Sequence, residues 1–168
     1  MEKITYNYAK ISDLDGIMHI ETTDFSPNEA SSRDSMLEQI ERISDSFLVA
    51  HNESGTVVGY VAGPVTAGHF VEDRMFEHSE RNPNFYGYQK ITSLAVHPDY
   101  QGQGIAKELL SRFIEQARLK NRRGVSLTCH DYLVGYYEKY GFVNKGISDS
   151  QWGGEIWYDM TLELRKSR

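Results

Sequence analysis

The stretch "LAVHPDYQGQGIAKELL", Leu94 to Leu110, decides how this chain is read. It ends the apolar run "FYGYQKITSLAVH", which reads as one long strand stopped by Pro98. It then passes through "PDYQGQG" into Ile105, Leu109, Leu110, Phe113, Ile114 and Ala117. That spacing predicts an amphipathic helix of about four turns. The first turn of a helix carries free N–H groups and the positive end of the dipole, which together make an anion site. Gly102 and Gly104 let a bulky phosphate approach and allow positive φ. A bare G-x-G serves a plain tight turn equally well. Two nucleotide motifs fail here. A Walker A loop needs Lys and Ser or Thr after its last glycine, and Ile105 and Ala106 stand there. A Rossmann fingerprint needs a third small residue where this chain has Lys107.

Outward from that stretch, the pattern predicts strand and helix in the order β-α-α-β-β-β-α-β-α-β-β. "ITYNYAKI" alternates as a first strand. Ser12 or Asp13 can cap a helix that turns Ile17, Met18 and Ile20 inward, and Met36, Leu37, Ile40 and Ile43 mark a second helix. "SFLVAHNESGTVVGYVAGPVT" is a hairpin around "NESG". Residues 67–84 read as a long polar loop with one short helix, of the kind that often carries function. "GVSLTC" is a short buried strand, "DYLVGYYEKY" a helix ended by Gly141, and "FVNKGISD" and "EIWYDMTLEL" a final strand pair. Turn-joined strands are antiparallel and β-α-β steps parallel, so the class is α/β (α+β) with a mixed central sheet of about seven strands and helices on both faces.

Composition narrows the functions. The 168 residues suit one domain, residues 1–168, with one core. A net charge of −6 argues against a nucleic-acid partner. The lone Cys129 allows no internal disulfide and no multi-cysteine metal site, and no histidine pattern implies a metal. "MEKITYNYAK" lacks a signal-peptide core, and no run approaches the ~18 apolar residues of a membrane span. A soluble, cytoplasmic protein is expected.

"LAVHPDYQGQGIAKELL" resembles the acetyl-CoA signature of the GCN5-related N-acetyltransferase (GNAT) superfamily, V-x-P-x-[YF] then [RQ]-x-x-G-x-[GA] then helix. The order of elements along nearly the whole chain is similar too. The resemblance implies the GNAT fold, with splayed central strands and acetyl-CoA (coenzyme A) as cosubstrate. It implies that backbone across Gln101, Gly102, Gln103, Gly104, Ile105 and Ala106 holds the pyrophosphate. It also implies that the splayed strand at Leu94, Ala95 and Val96 takes the pantetheine arm and the thioester carbonyl, with a bulge near Ala95. "GYYEKYGF" resembles a second GNAT segment, [LF]-Y-x-[KR]-x-G-F, which makes Tyr137 the candidate general acid toward the leaving thiolate. Tyr132, Tyr136 and Tyr140, four apart, read as one coated helix face.

Within the superfamily, "CHDYLVGYY" and "LAVH" resemble the arylalkylamine (serotonin) N-acetyltransferase branch. "IETTDF" resembles its entry to the amine pocket, which places Phe25 and Pro27 toward the substrate. That branch carries two histidines where this chain has Lys90 and Thr92, so its imidazole relay is missing. An alkylammonium must still lose a proton. Glu21 is the first candidate base, against the plainer reading of a solvated helix glutamate. Thr92 or Ser93 can hold a relay water, and Lys90 faces the substrate in this alignment. Lys90 would need a strongly lowered pKa to serve as the base. His97 reads as a turn histidine, His130 as a contact to coenzyme A or to a water near Tyr137, and Cys129 as packed core. The loop "HFVEDRMFEHSE" can close over the amine, against the plainer reading of a solvated charged loop. The expected function is acetyl transfer to a small primary amine of arylalkylamine or polyamine type in a ternary complex. Protein N-terminal or lysine acetylation, and a non-catalytic coenzyme A-binding relative, stay open. A homodimer is an expectation drawn from the superfamily.

Overall fold

The structure, a computed structural model, describes residues 2–165. Its strands are β1 (Thr5–Tyr8), β2 (Phe47–His51), β3 (Val57–Ala62), β4 (Val65–Thr66), β5 (Tyr88–Ile91), β6 (Ser93–Val96), β7 (Gly124–Cys129), β8 (Val143–Ile147) and β9 (Tyr158–Glu163). Its α-helices are α1 (Leu14–Asp24), α2 (Arg33–Arg42), α3 (Ile105–Leu119) and α4 (Val134–Glu138).

The predicted long strand is cut in two at Thr92, and that cut organises the molecule. Before it, β5 runs parallel to β7, with Lys90 opposite Ser126. After it, β6 runs antiparallel to β3, with Ser93 opposite Ala62. The chain therefore passes from a five-stranded sheet, β4-β5-β7-β9-β8, into a four-stranded one, β1-β2-β3-β6. Thr92 makes the crossing point, donating its N–H (2.8 Å) and its Oγ1 (3.2 Å) to the Ala62 carbonyl. The result is a mixed α/β fold with nine strands among the described residues rather than about seven. The difference is the two-residue β4 and the division of the long strand. The expected bulge near Ala95 is corrected: Ala95 sits in regular register opposite Tyr60, and the departure comes at Thr92.

Close approach makes this crossing possible. A Cβ on Gly63 would stand 1.8 Å from the Lys90 carbonyl oxygen, so only glycine lets the chain after β3 lie across β5.

Two helix layers hold the sheets. Leu14, Ile17 and Ile20 of α1, with Met36 and Ile40 of α2, pack on Phe47, Val49, Tyr60 and Ala62. Met18, expected inward with them, is only partly buried. On the other face Leu109, Leu110, Phe113 and Ala117 of α3 are fully buried against β2, β3 and β7. Each large apolar side chain so buried contributes about 1.5–3 kcal/mol over its exposed state, more than helix propensity can oppose. Ser32 caps α2, accepting the Ser35 N–H at 3.1 Å. Asp13 makes no side-chain cap bond to α1. Its carboxylate instead accepts the Lys10 N–H at 2.9 Å and pairs with His51 at 2.7 Å. The helix predicted over residues 131–140 is a 3-10 turn at Asp131–Leu133 followed by the short α4, and Gly141 leaves it at φ 95°.

Candidate active site

The site is built on the edge that the sheet switch leaves open. His97 donates its N–H to Val58 at 2.8 Å, and Ala95 lies in the same register against β3. Alternation then turns the N–H groups of Leu94 and Val96 away from β3, toward the gap between β6 and β7. A groove follows that edge down to the start of α3. It is lined by Leu94, Ala95 and Val96 on one side and by Gln101, Gly102, Gly104 and Ala106 at its end.

The glycine turn is shaped for a ligand. Gly102 and Gly104 have φ of 78° and 83°, and a Cβ on either would meet nothing within 4 Å. Their need is conformational, and the space before them is open. Gln101 folds back to donate its Nε2 to the Val96 carbonyl at 3.2 Å, bracing turn against strand. The first turn of α3 opens into this space with free N–H groups. A pyrophosphate fits that turn, and a peptide-like arm fits the open edge of β6. A coenzyme A-type ligand therefore suits the residues present. Ile105 anchors the turn in the core, and the exposed Gln103 side chain does not line the groove.

Beyond Leu94 the groove opens into a cavity of about 210 Å³ between the two sheets. Tyr137, Leu133, Phe25 and Asp24 line both spaces. Tyr137 is buried on α4, edge-on to Phe142 at 5.8 Å, and burial raises its phenol well above the ordinary range. The phenol is held protonated. Glu21 projects into the cavity from α1 and is 1% exposed. The reading of a solvated helix glutamate is thus corrected. Its carboxylate accepts the Tyr60 hydroxyl, the Ser31 N–H (2.8 Å) and, at 3.5 Å, the Ser93 hydroxyl. Burial raises its pKa, and these bonds pull it partly back. Burial also raises the Asp24 pKa, against the nearby Val96 N–H and the charge of His97.

The cavity is roofed by aromatic residues from three loops. Phe76 stacks on Trp152 with centroids 4.6 Å apart, and His130 stacks on Trp157 at 4.3 Å. Trp152 donates its Nε1 to the Glu29 carbonyl at 2.9 Å, joining the loop after α1 to the loop after β8. The Glu29 carboxylate contacts His130 Nε2 at 3.2 Å. The lining includes Glu21, Asp24 and Glu29 and, among the described residues, neither lysine nor arginine.

Most of the sequence-predicted residues meet here, and some do not. Glu21, Phe25, Thr92 and Tyr137 line the cavity together. His130 lines this cavity together with Tyr137 and does not line the groove. Its ring is held by the Trp157 stack and by Glu29. Pro27 is exposed on the loop and lines neither space. Lys90 also stands outside both, because the pleat that turns Ile91 to the cavity turns Lys90 the other way. Its expected contact with substrate is therefore corrected. His97 is a turn residue, accepting the Asp99 N–H on Nδ1 at 3.1 Å. Burial holds the Cys129 thiol up at about 11, so it stays a packed, protonated thiol on the cavity wall. Sequence reasoning missed Tyr60 and Ser31, which hold Glu21, and the roof of Phe76, Trp152 and Trp157. Nothing local distinguishes Tyr60 from the apolar run around it.

Comparison with known proteins agrees with this architecture. The acetyltransferase (GNAT) domain family matches residues 6–164, and the chain belongs to that family. An uncharacterised N-acetyltransferase, ycf52, of Gracilaria tenuistipitata var. liui is 26% identical over 103 residues, covering 54% of this chain and 54% of that protein. The chain spans about half the length of that curated relative. Among solved structures, yncA of Salmonella typhimurium with its cofactor acetyl-CoA superposes with a TM-score of 0.69 at 20% identity, over 99% of this chain and 96% of that one. The GphF GNAT-like decarboxylase in complex with isobutyryl-CoA superposes with a TM-score of 0.79 at 18% identity, over 96% and 100%. These two share the fold.

Proposed function

We propose that the chain is an acetyl-CoA-dependent N-acetyltransferase for a small primary amine carried as a cation. The observation that carries this is the pairing of a buried carboxylate, Glu21, with a buried phenol, Tyr137, across one cavity that joins the coenzyme A groove. Bound acetyl-CoA would supply an activated acyl group. The turn from Gln101 to Ala106 would hold its pyrophosphate, and the Leu94 and Val96 N–H groups its amide arm and thioester carbonyl. Glu21 takes the proton of the incoming ammonium on its carboxylate, directly or through Ser93. Its raised pKa brings it nearer the working pH than an ordinary glutamate. Tyr137 donates a proton from its hydroxyl on the groove side. Glu21, Asp24 and Glu29 attract a cation, and the ring walls accept an apolar body. The aromatic lining favours arylalkylamines, the branch that "CHDYLVGYY" resembles.

A small acceptor suits this cavity better than a protein. The Trp152–Glu29 bond and the Phe76–Trp152 stack draw three loops together over the cavity and leave less room for an extended peptide. The test is release of free thiol from acetyl-CoA over a panel of primary amines. Cationic arylalkylamines should turn over, and amines bearing a carboxylate should be poor. Turnover confined to peptides would overturn this reading.

A further inference from the structure

Lys90 is fully buried in the middle of β5, outside the site described above. Its Nζ donates to three backbone carbonyls, those of Thr66 (3.2 Å), Tyr88 (3.1 Å) and Gly68. It makes no ion pair among the described residues. Its cross-strand neighbour Ser126 on β7, and Thr161 opposite Ser126 on β9, are neutral, and each leaves a buried hydroxyl without a partner among the described residues. A lone buried ammonium costs several kcal/mol, which an apolar side chain of the same size avoids. Fold stability gives no reason for it.

The carbonyls it gathers give one. Thr66 and Gly68 begin the loop that roofs the acceptor cavity. Farther along, Val71, Met75 and Phe76 close on Trp152, and Phe76 forms a cavity wall. Asp73 ties the same loop to Ser150 and to the Gln151 N–H (3.0 Å). The face beneath carries Lys90, Ser126 and Thr161, so polar groups that need water or a donor lie along it.

We propose that Lys90 is a positioning residue for the acceptor: by gathering the Thr66 and Gly68 carbonyls it seats residues 67–76 as a lid, with Phe76 as a wall of the amine cavity. Its relevance to the acceptor rests on the reading under Proposed function. Its action on the lid does not.

The proton linkage has a definite sign. Burial in the closed lid lowers the Lys90 pKa from 10.5 to about 7, with Glu72 acting upward and Arg74 downward. An open lid returns the ammonium to water and to its ordinary value. The open form then binds the proton more tightly, so closure strengthens as pH rises through about 7 toward 10.5. The neutral amine keeps two N–H groups to share among the three carbonyls. The groups that face it are Glu72 and Arg74 of the lid and Tyr88 of β5, whose hydroxyl donates to Glu163 and whose ring packs on His69 at 4.4 Å.

Amide hydrogen exchange of the full chain, corrected for intrinsic rates, tests this between about pH 6.5 and 9. Protection of residues 67–76 should rise about tenfold or more over that range in the wild type and in His69→Gln. In Lys90→Met it should be flat and weaker than wild type at the upper pH. Lys90→Gln, a neutral donor, should recover part of the protection without the pH response. Exchange in α3 reports global folding and should not change. A flat lid in the wild type, or a Lys90→Met lid that follows the wild type, overturns the proposal. If Lys90→Met fails to fold, the wild-type titration decides alone. With the best amine of the panel, Lys90→Met should raise the amine KM several-fold and leave kcat and the acetyl-CoA KM in place. Absence of any turnover would overturn the acceptor reading, while the exchange profile still judges the lid.

Discussion

At the scale of residues, the proposed mechanism divides the proton work between two groups kept out of water. Burial raises both: it keeps the Tyr137 phenol protonated and makes Glu21 a base that ionises above the usual glutamate range. The Glu21 pKa is raised, so activity should fall as pH drops through that raised value. Glu21→Gln should remove this acid limb and lower kcat by about a hundredfold or more. Tyr137→Phe should lower kcat by about ten- to a hundredfold with acetyl-CoA affinity unchanged, since the proposed proton transfer follows binding. Full pH–rate profiles of wild type and both variants check this. A wild-type limb that survives in Glu21→Gln would move the base elsewhere. Glu21 illustrates what sequence alone could offer. Its place before Phe25 was readable, but its burial depends on Tyr60 and Ser93, which stand 39 and 72 residues away.

At the scale of elements, glycines set the geometry for two different reasons, and their variants should fail differently. Gly104→Ala adds a methyl to open space, so its cost is the positive φ alone, about 1–2 kcal/mol. The variant should fold, show a modest loss of thermal stability and bind acetyl-CoA more weakly. Gly63→Ala would drive a methyl onto the Lys90 carbonyl at 1.8 Å and push the chain off β5. It should lose cooperative unfolding or fall by far more in Tm, as paired thermal melts and acetyl-CoA titrations would show. The same contrast explains what the sequence disclosed. The strand, glycine turn and amphipathic α3 lie within a couple of dozen consecutive residues, where local periodicity suffices. The break at Thr92 was hidden because "YQKITSLAV" is uniformly strand-like. Only the register of Lys90 with Ser126, and of Ser93 with Ala62, shows that its halves belong to different sheets.

At the scale of the whole molecule, the switch between sheets opens the groove, and three distant loops decide what reaches it. The loops after α1, after β4 and after β8 meet at Trp152, which stacks on Phe76 and donates to the Glu29 carbonyl. Their sequences gave charge and length but no partner, because each ring finds its neighbour only in the fold. Trp152 thus stands between a closed cavity and an open groove. Trp152→Ala removes both contacts at once and leaves Glu21, Tyr137 and the glycine turn in place. It should raise the KM for small amines about tenfold or more, in keeping with loss of a large aromatic wall, while acetyl-CoA binding stays as in the wild type. The same variant should admit longer amine-bearing chains that the wild type excludes, measured as thiol release with short lysine-containing peptides. Unchanged selectivity in that variant would mean that the three loops cover the cavity without restricting it.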